Sequence, residues 1–281
     1  MTRPVPPLVL TFAATDPSSG AGLQADILTL ASIGCYPLSV VTGITVQDTL
    51  GVDSVMALDA DWVNEQARTV LEDMEVAAFK LGMLGSVENV AIIAEIVADY
   101  PDIPLLIDPI LTSGRGDELA GDEIQDAMID LLFPQASLLT PNSLEARRLA
   151  FGDDADEEDG ESLDECARQL LALGSEYVLI TGTHERTNDV EYAVFRKRPC
   201  PQLYLGAPAR QLPWLRLHPH FRHCRLSRAW PDDGRSRGRG AGIYLANATG
   251  GVPPRHGSIY TGSFVLGAGR RGCSRLRGFT R

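Results

Sequence analysis

The sequence lacks the features that mark membrane, secreted and disulfide-bonded proteins. No stretch approaches the roughly 18–20 consecutive apolar residues that a membrane-spanning helix requires, although 44% of the 281 residues are hydrophobic. The segment from Met1 to Pro7 contains one Arg and three Pro and no apolar run, so we expect no secretory signal. The five cysteines form no CxxC pair and no even disulfide framework. We therefore expect a reduced, cytoplasmic protein that does not bind a membrane.

Charge divides the chain into two parts. Residues 1–195 contain 35 Asp and Glu against 8 Lys and Arg, a balance of −27. Residues 196–281 contain two acids, Asp232 and Asp233, against 17 Lys and Arg, a balance of +15. A basic segment often binds nucleic acid through phosphates. The run from Arg235 to Arg239 lacks interleaved aromatic residues, so we expect no nucleic-acid partner.

The first part of the chain alternates strand and helix patterns. Leu8 to Ala13 is an apolar, β-rich run, and Leu23, Ile27 and Leu30 then form the apolar stripe of a helix. Further strands are predicted at 38–46, 76–81, 104–108, 137–140 and 177–181, and further helices at 61–74, 87–100, 124–132, 143–151 and 163–173. Strand–helix units with near-continuous apolar strands predict an α/β fold, a doubly wound and mostly parallel sheet with helices on both faces.

Two glycine-rich segments follow predicted strands. The turn from Thr15 to Asp26 opens the first helix, where glycines and a helix N-terminus can accommodate an anionic or polar ligand. Turn glycines with Ser18 or Ser19 as an N-cap explain the same residues without a ligand. Residues 80–85, KLGMLG, form a strand that runs into two glycines, which predicts a strand end open to a cleft.

Polar residues follow three later strands. Asp108 ends a buried strand before Pro and Gly turns, where a carboxylate binds Mg²⁺ and phosphate or caps a helix. Asn142 and Glu145 fit a capping box, and Glu145 could also orient a hydrated Mg²⁺ beside ATP. Ile180 to His184 ends a strand with hydroxyls suited to phosphate, and His184 alone is typical of a surface histidine.

In their order and spacing these motifs resemble the pyrimidine kinases of the ribokinase-like superfamily, most closely hydroxymethylpyrimidine/phosphomethylpyrimidine kinase. The resemblance covers residues 8–191. It implies ATP- and Mg²⁺-dependent phosphorylation of 4-amino-5-hydroxymethyl-2-methylpyrimidine, and then of its monophosphate, in thiamine diphosphate biosynthesis. The implied partners are the pyrimidine, ATP and a second copy of the chain in a homodimer. A pyridoxal kinase-like enzyme and a pyrimidine- and nucleotide-binding remnant without catalysis remain alternatives.

The same resemblance implies roles for individual residues. The pyrimidine site would be lined by Asp26, Gln47, Met83 and Ile110. ATP and phosphates would be bound by Asp108, Asn142, Thr181 and Thr183, and the metal by Glu145 and Asp108. Two departures stand out. Ala14 and Thr15 replace a usual Gly-Ser, and Thr181 to His184 replaces a common Lys-Gly-Gly-His, which removes a cation that could face phosphate.

The catalytic turn of the superfamily is missing. Near the C-terminus such kinases have a GSGC- or GxGD-type turn at a helix N-terminus, whose N–H groups stabilise the transferring phosphoryl charge. In the pyrimidine kinases it also carries the Cys proposed as base. No such motif follows residue 191, so no catalytic residue is assigned. We therefore divide the chain into an incomplete kinase domain, 1–191, and an atypical basic tail, 192–281.

The genetic code offers an explanation for this tail. Trp214 to Pro219 can be encoded by TGG CTC CGG CTG CAC CCT, and starting one nucleotide later gives GGC TCC GGC TGC ACC, which encodes GSGCT. Codons permitted by residues 219–249 likewise allow a Glu-containing helical segment in the displaced frame. The sequence from about residue 192–196 onward is thus interpreted as a frameshifted kinase C-terminus. The candidate zinc ligands of the tail match no structural spacing; they are Cys200, His218, His220, His223 and Cys224.

We predict that the gene, read one nucleotide displaced after about codon 192, encodes GSGCT followed by a helical C-terminus. Sequencing both DNA strands across this region tests the prediction. A verified sequence whose displaced frame meets an early stop, or lacks the motif, contradicts it. The protein encoded after this correction is the frame-restored protein.

Overall fold

In the computed structural model, residues 5–111, 119–152 and 162–181 are described with their side chains, and strands at 189–196, 203–208, 245–246 and 265–266 by their backbone. The strands of the main sheet are β1 Leu8–Ala14, β2 Tyr36–Gln47, β3 Val52–Ala57, β4 Val76–Leu81, β5 Leu105–Ile107, β6 Leu138–Leu139, β7 Tyr177–Thr181, β8 Asp189–Arg196 and β9 Leu203–Pro208. The helices are α1 Gly22–Ser32, α2 Ala60–Asp73, α3 Val87–Asp99, α4 Asp122–Ala127, α5 Ser143–Phe151 and α6 Leu163–Ala172. The strands β10 Leu245–Ala246 and β11 Val265–Leu266 form a separate antiparallel pair.

The sheet has the strand order β3-β2-β1-β4-β5-β6-β7-β8-β9. Neighbouring strands from β2 through β7 are parallel, whereas β3, β8 and β9 are added antiparallel at the two sides. The chain moves outward from β1 to β2 and then returns to place β4 on the other side of β1. The strand order therefore reverses between β1 and β4, and in open α/β sheets ligands bind in the crevice at such a point.

Buried apolar residues form a core on each side of the sheet. The larger cluster joins alternate residues of β1, β2 and β4 to β7, such as Phe12, Phe79 and Ile107, with residues of helices α2, α3, α5 and α6. On the other side, Leu30 of α1 packs with Val9 and Ala78. Helices on both faces of a mostly parallel sheet confirm the predicted fold class.

The predicted elements are confirmed with three differences. The helix expected at 124–132 is α-helical only to Ala127 and continues as a π-helical turn, Met128–Leu132, and a 3-10 turn, Phe133–Gln135. Strand β3 was not predicted, because four of its six residues are exposed and its sequence, VDSVMA, has no apolar run. Strand β8 extends the sheet past residue 191, so the proposed domain boundary falls inside a strand.

Within the described ranges, no helix has the length and apolar character needed to cross a bilayer. The surface of these ranges is acidic. Its exposed carboxylates are Asp48, Asp53, Asp59, Asp61, Glu65, Glu72, Asp73, Glu75, Glu88, Glu95, Asp99, Asp102, Asp122, Glu123, Asp126, Asp130 and Glu176. Among basic side chains of the same ranges, Arg168 is exposed, Arg68, Arg147 and Arg148 are partly buried, and Lys80 is buried. Like charges at this density repel one another and destabilise the compact state.

We predict that the frame-restored protein becomes more stable as KCl is raised from 0.1 to 2 M. The Debye length falls from about 10 Å at 0.1 M to about 3 Å at 1 M, which screens repulsion between carboxylates. Urea unfolding at each KCl concentration measures the effect. As a control, Glu65→Gln with Glu72→Gln removes two exposed charges of α2 and should reduce the salt dependence. A midpoint that is constant or falls with KCl would contradict the prediction.

Candidate active site

A buried ion pair lies at the point where the strand order reverses. Lys80, on β4, is 2% exposed, and its Nζ is 2.9 Å from Oδ2 of Asp26, a fully buried residue in the first turns of α1. Thr11, which pairs with Lys80 across the parallel strands, donates its hydroxyl to the same oxygen at 2.8 Å. Oδ2 of Asp26 therefore accepts hydrogen bonds from residues of two strands, β1 and β4, whereas its Oδ1 accepts none from the described residues.

The Asp108 carboxylate extends this charged group toward β5. Its Oδ2 is 3.9 Å from Lys80 Nζ, and its side chain is 15% exposed. Burial raises the pKa of Asp108 to about 6, with Lys80 acting to lower it and Asp26 to raise it. Burial alone would lower the pKa of Lys80, but Asp26 and Asp108 raise it above its ordinary value, so the ammonium stays protonated. Three ionisable side chains thus meet where β1, β4 and β5 end.

Glu145 stands beside this group on α5. Its Oε2 accepts the Asn142 N–H at 2.9 Å while Oδ1 of Asn142 accepts the Glu145 N–H at 2.9 Å, so the predicted capping box is confirmed. Oε1 of Glu145 accepts the N–H of Leu111 at 3.4 Å, which ties α5 to the segment after Asp108. Burial, together with the negative charge of Asp108, raises the pKa of Glu145 to about 8.

Two buried carboxylates that repel each other are the arrangement that a bound cation would relieve. Oxygen ligands suit Mg²⁺, which typically binds through one or two carboxylates together with substrate phosphates and water. Asp108 and Glu145 therefore fit the implied metal. Because both Glu145 oxygens already accept N–H groups, they fit a role through metal-bound water. Within the described residues, no cluster of three or more His, Cys, Asp or Glu could hold a metal by itself.

The β1–α1 turn is organised by the Asp16 carboxylate. Oδ2 of Asp16 accepts the N–H groups of Gly20 at 3.0 Å and Ala21 at 2.7 Å, and Oδ1 accepts that of Ser18 at 2.7 Å. These contacts hold the glycine-rich turn that leads into α1. The prediction that Ser18 or Ser19 caps α1 is wrong, since the N-cap position is Ala21 and no side chain caps the helix there.

The predicted pyrimidine residues lie at neighbouring strand ends. Gln47 is the last residue of β2 and is partly buried. The carbonyl of Met83, just past β4, accepts the Ala14 N–H at 3.1 Å and the Thr42 hydroxyl at 2.6 Å, which joins β1, β2 and β4 at this edge. Ile110 follows Asp108 and is partly buried. The carboxyl ends of parallel strands meet at one edge, so these side chains share that edge with Asp108.

On the phosphate side, Thr181 ends β7 and is buried. Its N–H donates to the Pro141 carbonyl at 3.0 Å, and Thr181 bridges Asn142 in parallel register. Thr181, Asn142 and Glu145 are therefore held together by backbone contacts. Thr183, His184 and the candidate zinc residues of the tail lie outside the described residues.

Sequence reasoning missed two residues that organise this edge, Lys80 and Asp16. Lys80 had a usable signal, because one lysine within the buried strand VAAFKL requires a counter-ion in the core. Asp16 had a weaker one, since an Asp before Pro and Ser is a common turn residue on any surface.

Comparison with known proteins agrees with this geometry. The sequence model of the family described as phosphomethylpyrimidine kinase matches residues 16–203. The hydroxymethylpyrimidine/phosphomethylpyrimidine kinase of Mycobacterium bovis is 39% identical over 213 residues, 75% of this chain and 74% of that protein.

Two solved structures are similar to the chain. Phosphomethylpyrimidine kinase from Clostridium difficile gives a TM-score of 0.62 at 31% identity, covering 72% of this chain and 84% of that one. An ADP complex of Bacillus subtilis pyridoxal kinase gives a TM-score of 0.64 at 26% identity, covering 75% of this chain and 78% of that one. With the sheet order, the carboxylates at the strand ends and a family match over two thirds of the sequence, the chain belongs to the phosphomethylpyrimidine kinase family.

Proposed function

We propose that the intact gene product is an ATP- and Mg²⁺-dependent kinase acting on 4-amino-5-hydroxymethyl-2-methylpyrimidine and then on its monophosphate. The observation that carries the proposal is the pair of carboxylates, the partly buried Asp108 and the buried Glu145, at the carboxyl edge of the sheet in a chain from this kinase family. Phosphoryl transfer of this kind depends on positioning and on stabilising charge, for which carboxylates and a bound cation are suited.

The pyrimidine side of the proposed site lies where β1, β2 and β4 end. Gln47 supplies an amide that can pair with the polar edge of an aza-ring, while Met83 and Ile110 supply apolar contacts to its faces. Asp26 is fully buried, and because its Oδ2 already accepts hydrogen bonds from Thr11 and Lys80, we assign it to supporting this side rather than to contacting the pyrimidine.

The phosphate side lies where β5, β6 and β7 end. Asp108 and Glu145 would hold Mg²⁺, which would neutralise phosphate charge, while Asn142, Thr181 and Thr183 would contact the nucleotide. The relative from Bacillus subtilis was solved with ADP, which supports a nucleotide in the same region of this chain. The homodimer and the cytoplasmic location stay predictions.

Pyridoxal kinase activity is the second candidate. The Bacillus subtilis pyridoxal kinase has a TM-score of 0.64 to this chain, and its substrate also carries a hydroxymethyl group on a six-membered aza-ring. The identity to the Mycobacterium bovis pyrimidine kinase is 39% against 26% for the pyridoxal kinase, which favours the pyrimidine. Turnover on the two substrates separates the candidates.

We further propose that the chain as written is catalytically impaired, and the sheet supplies a structural reason. Leu106, Leu138 and Leu179 are buried and alternate with residues of the larger core, so they face the other side of the sheet. Of the described helices, only α1 adds a residue to the core cluster on that side, and it packs near β1 and β4. The part of the chain that covers this side of β5 to β7 therefore lies outside the described helices.

The composition after Tyr192 is poorly suited to that cover. In residues 196–281, apolar residues do not recur at helical spacing, and Glu is absent. The displaced frame, in contrast, allows helical segments as well as the GSGCT turn. The family match ends at residue 203, close to the proposed change of frame. A single displacement thus accounts for both the missing catalytic turn and the loss of a helical pattern of apolar residues.

We predict that the 281-residue chain has at least about 10²-fold lower kinase turnover than the frame-restored protein. Losing one donor of an anion-stabilising site costs on the order of 10²–10³ in rate in an acyl-transfer enzyme, and losing a general base costs about 10²–10⁴. A coupled ADP-release assay on both proteins, with the pyrimidine and with pyridoxal as substrates, measures this.

Circular dichroism and limited proteolysis of the two proteins serve as the control for folding. Comparable turnover, or a protease-resistant tail in the 281-residue chain, would show that residues 196–281 form a working lobe. The proposed frameshift would then be wrong. A frame-restored protein that is folded but phosphorylates neither substrate would instead contradict the proposed function.

A second prediction concerns Glu145→Gln in the frame-restored protein without Mg²⁺. The folded-state pKa of Glu145, about 8, lies above its ordinary 4.5, so its contribution to folding is present below pH 4.5 and is lost as pH rises through 8. Gln keeps the acceptor of the capping box and has no proton to lose. The variant should be more stable than its parent at pH 9 by up to about 5 kcal/mol, since the shift from 4.5 to about 8 is about 3.5 pKa units at about 1.4 kcal/mol each.

Urea unfolding of parent and variant at pH 5 and pH 9 measures this difference, which should disappear at pH 5. The variant should also lose kinase activity, since a neutral amide cannot balance the metal's charge. Equal stability at pH 9 would show that the carboxylate is not held in an unfavourable buried environment.

A further inference from the structure

The surroundings of Lys80 are built to hold a charged ammonium. A Cβ added at Gly82 would lie 3.1 Å from Lys80 Nζ and 3.3 Å from Ala13 Cβ, so the glycine leaves the space that the ammonium occupies. Asp26 Oδ2 lies at 2.9 Å on one side of Nζ and Asp108 Oδ2 at 3.9 Å on the other. The nitrogen therefore lies between a fully buried carboxylate and one at the edge of the site.

Stability alone does not explain this arrangement. Removing two charges from water costs several kcal/mol for each ion, and apolar residues of similar volume often stabilise a core as well or better. The residues on either side of Lys80, Phe79 and Leu81, are fully buried and apolar. The Lys80–Asp26 ion pair lies in an apolar strand and next to the Asp108 carboxylate of the site. This placement indicates a role in the reaction.

We propose that Lys80 is a positioning residue for phosphoryl transfer, which holds the Asp108 carboxylate in place while Asp26 and Thr11 hold Lys80. This inference rests on the proposed kinase function and adds a residue to its phosphate side. Asp26 lies on α1, Lys80 on β4 and Asp108 after β5, so one chain of contacts spans the crevice where the strand order reverses. Any shift of Lys80 moves the charge nearest to Asp108.

The test uses the double variant Asp26→Asn with Lys80→Met in the frame-restored protein. Both replacements are close in shape and neutral, so neither leaves the other with an unpaired buried charge, and only Asp108 loses a neighbouring charge. We expect kcat to fall about 10- to 100-fold, because small displacements of a catalytic group cost up to about 10²-fold. The KM for the pyrimidine should stay within about 3-fold, since the loss acts through Asp108. A kcat within 3-fold of the parent would overturn the proposal.

Two further variants keep the test decisive. Thr11→Val leaves both charges but removes the hydroxyl that orients Asp26, and should lower kcat about 3- to 10-fold. Thr29→Val is the matched control, because its buried hydroxyl on α1 bonds only the Ala25 carbonyl at 2.6 Å. The control should leave kcat within 2-fold. An equal loss in the control and in Thr11→Val would show a general effect of loosening α1 and overturn the proposal.

Isothermal titration calorimetry measures ligand affinities, which do not depend on catalytic turnover. The double variant should bind Mg²⁺ with ADP about 10-fold more weakly than the parent and bind the pyrimidine within 3-fold of it. Loss of pyrimidine affinity with unchanged binding of Mg²⁺ and ADP would assign the pair to the pyrimidine pocket and overturn the proposal. If the parent shows no kinase activity, the proposed function fails, and the two affinities still decide the role of Lys80.

Discussion

Parallel strands cannot be joined by tight turns, and this constraint organises the whole molecule. Each parallel pair from β2 to β7 requires a crossover that returns the chain to the same starting edge, so each of these six parallel strands ends at the opposite edge. The polar residues that follow the strands are thereby collected along one line, although they are up to 155 residues apart between Asp26 and Thr181 in the sequence. The reversal between β1 and β4 opens the crevice in that line.

Charge along this line is tightly coupled. Asp26, Lys80, Asp108 and Glu145 contribute three potential negative charges and one positive charge in largely buried surroundings. Lys80 balances one carboxylate, and the raised pKa values of Asp108 and Glu145 show that the remaining charge is not balanced by the protein. An edge that is short of positive charge is suited to a divalent cation that arrives with a nucleotide.

The sequence allowed much of the fold to be predicted, because long apolar stripes and apolar runs dictate helices and strands through burial. Strand β3 was not predicted because it lies at the edge of the sheet. Asp53 and Ser54 are exposed there, and an edge strand does not need a regular alternation of apolar residues. The line of polar strand ends was predicted from motifs, but the Lys80–Asp26 pair was not. Asp26 and Lys80 are 54 residues apart, so their contact can be inferred only once the parallel pairing of β1 with β4 and the packing of α1 are known. For the same reason Asp16 could be read as a turn residue but not as the acceptor for three N–H groups of its own turn.

The proposed frameshift accounts for the opposite charges of the two parts of the chain. Asp and Glu are encoded by GAN codons, and when the preceding codon ends in C or G, a frame that begins with that base reads CGA or GGA. These codons encode Arg and Gly. An acidic, GC-rich coding sequence therefore becomes a sequence rich in Arg and Gly when it is displaced by one nucleotide, and its acidic residues disappear. The change from −27 in residues 1–195 to +15 in residues 196–281 has the direction that such a displacement would produce. A basic tail selected for binding nucleic acid would have no reason to permit codons that encode, one nucleotide away, the GSGCT turn that this kinase domain lacks.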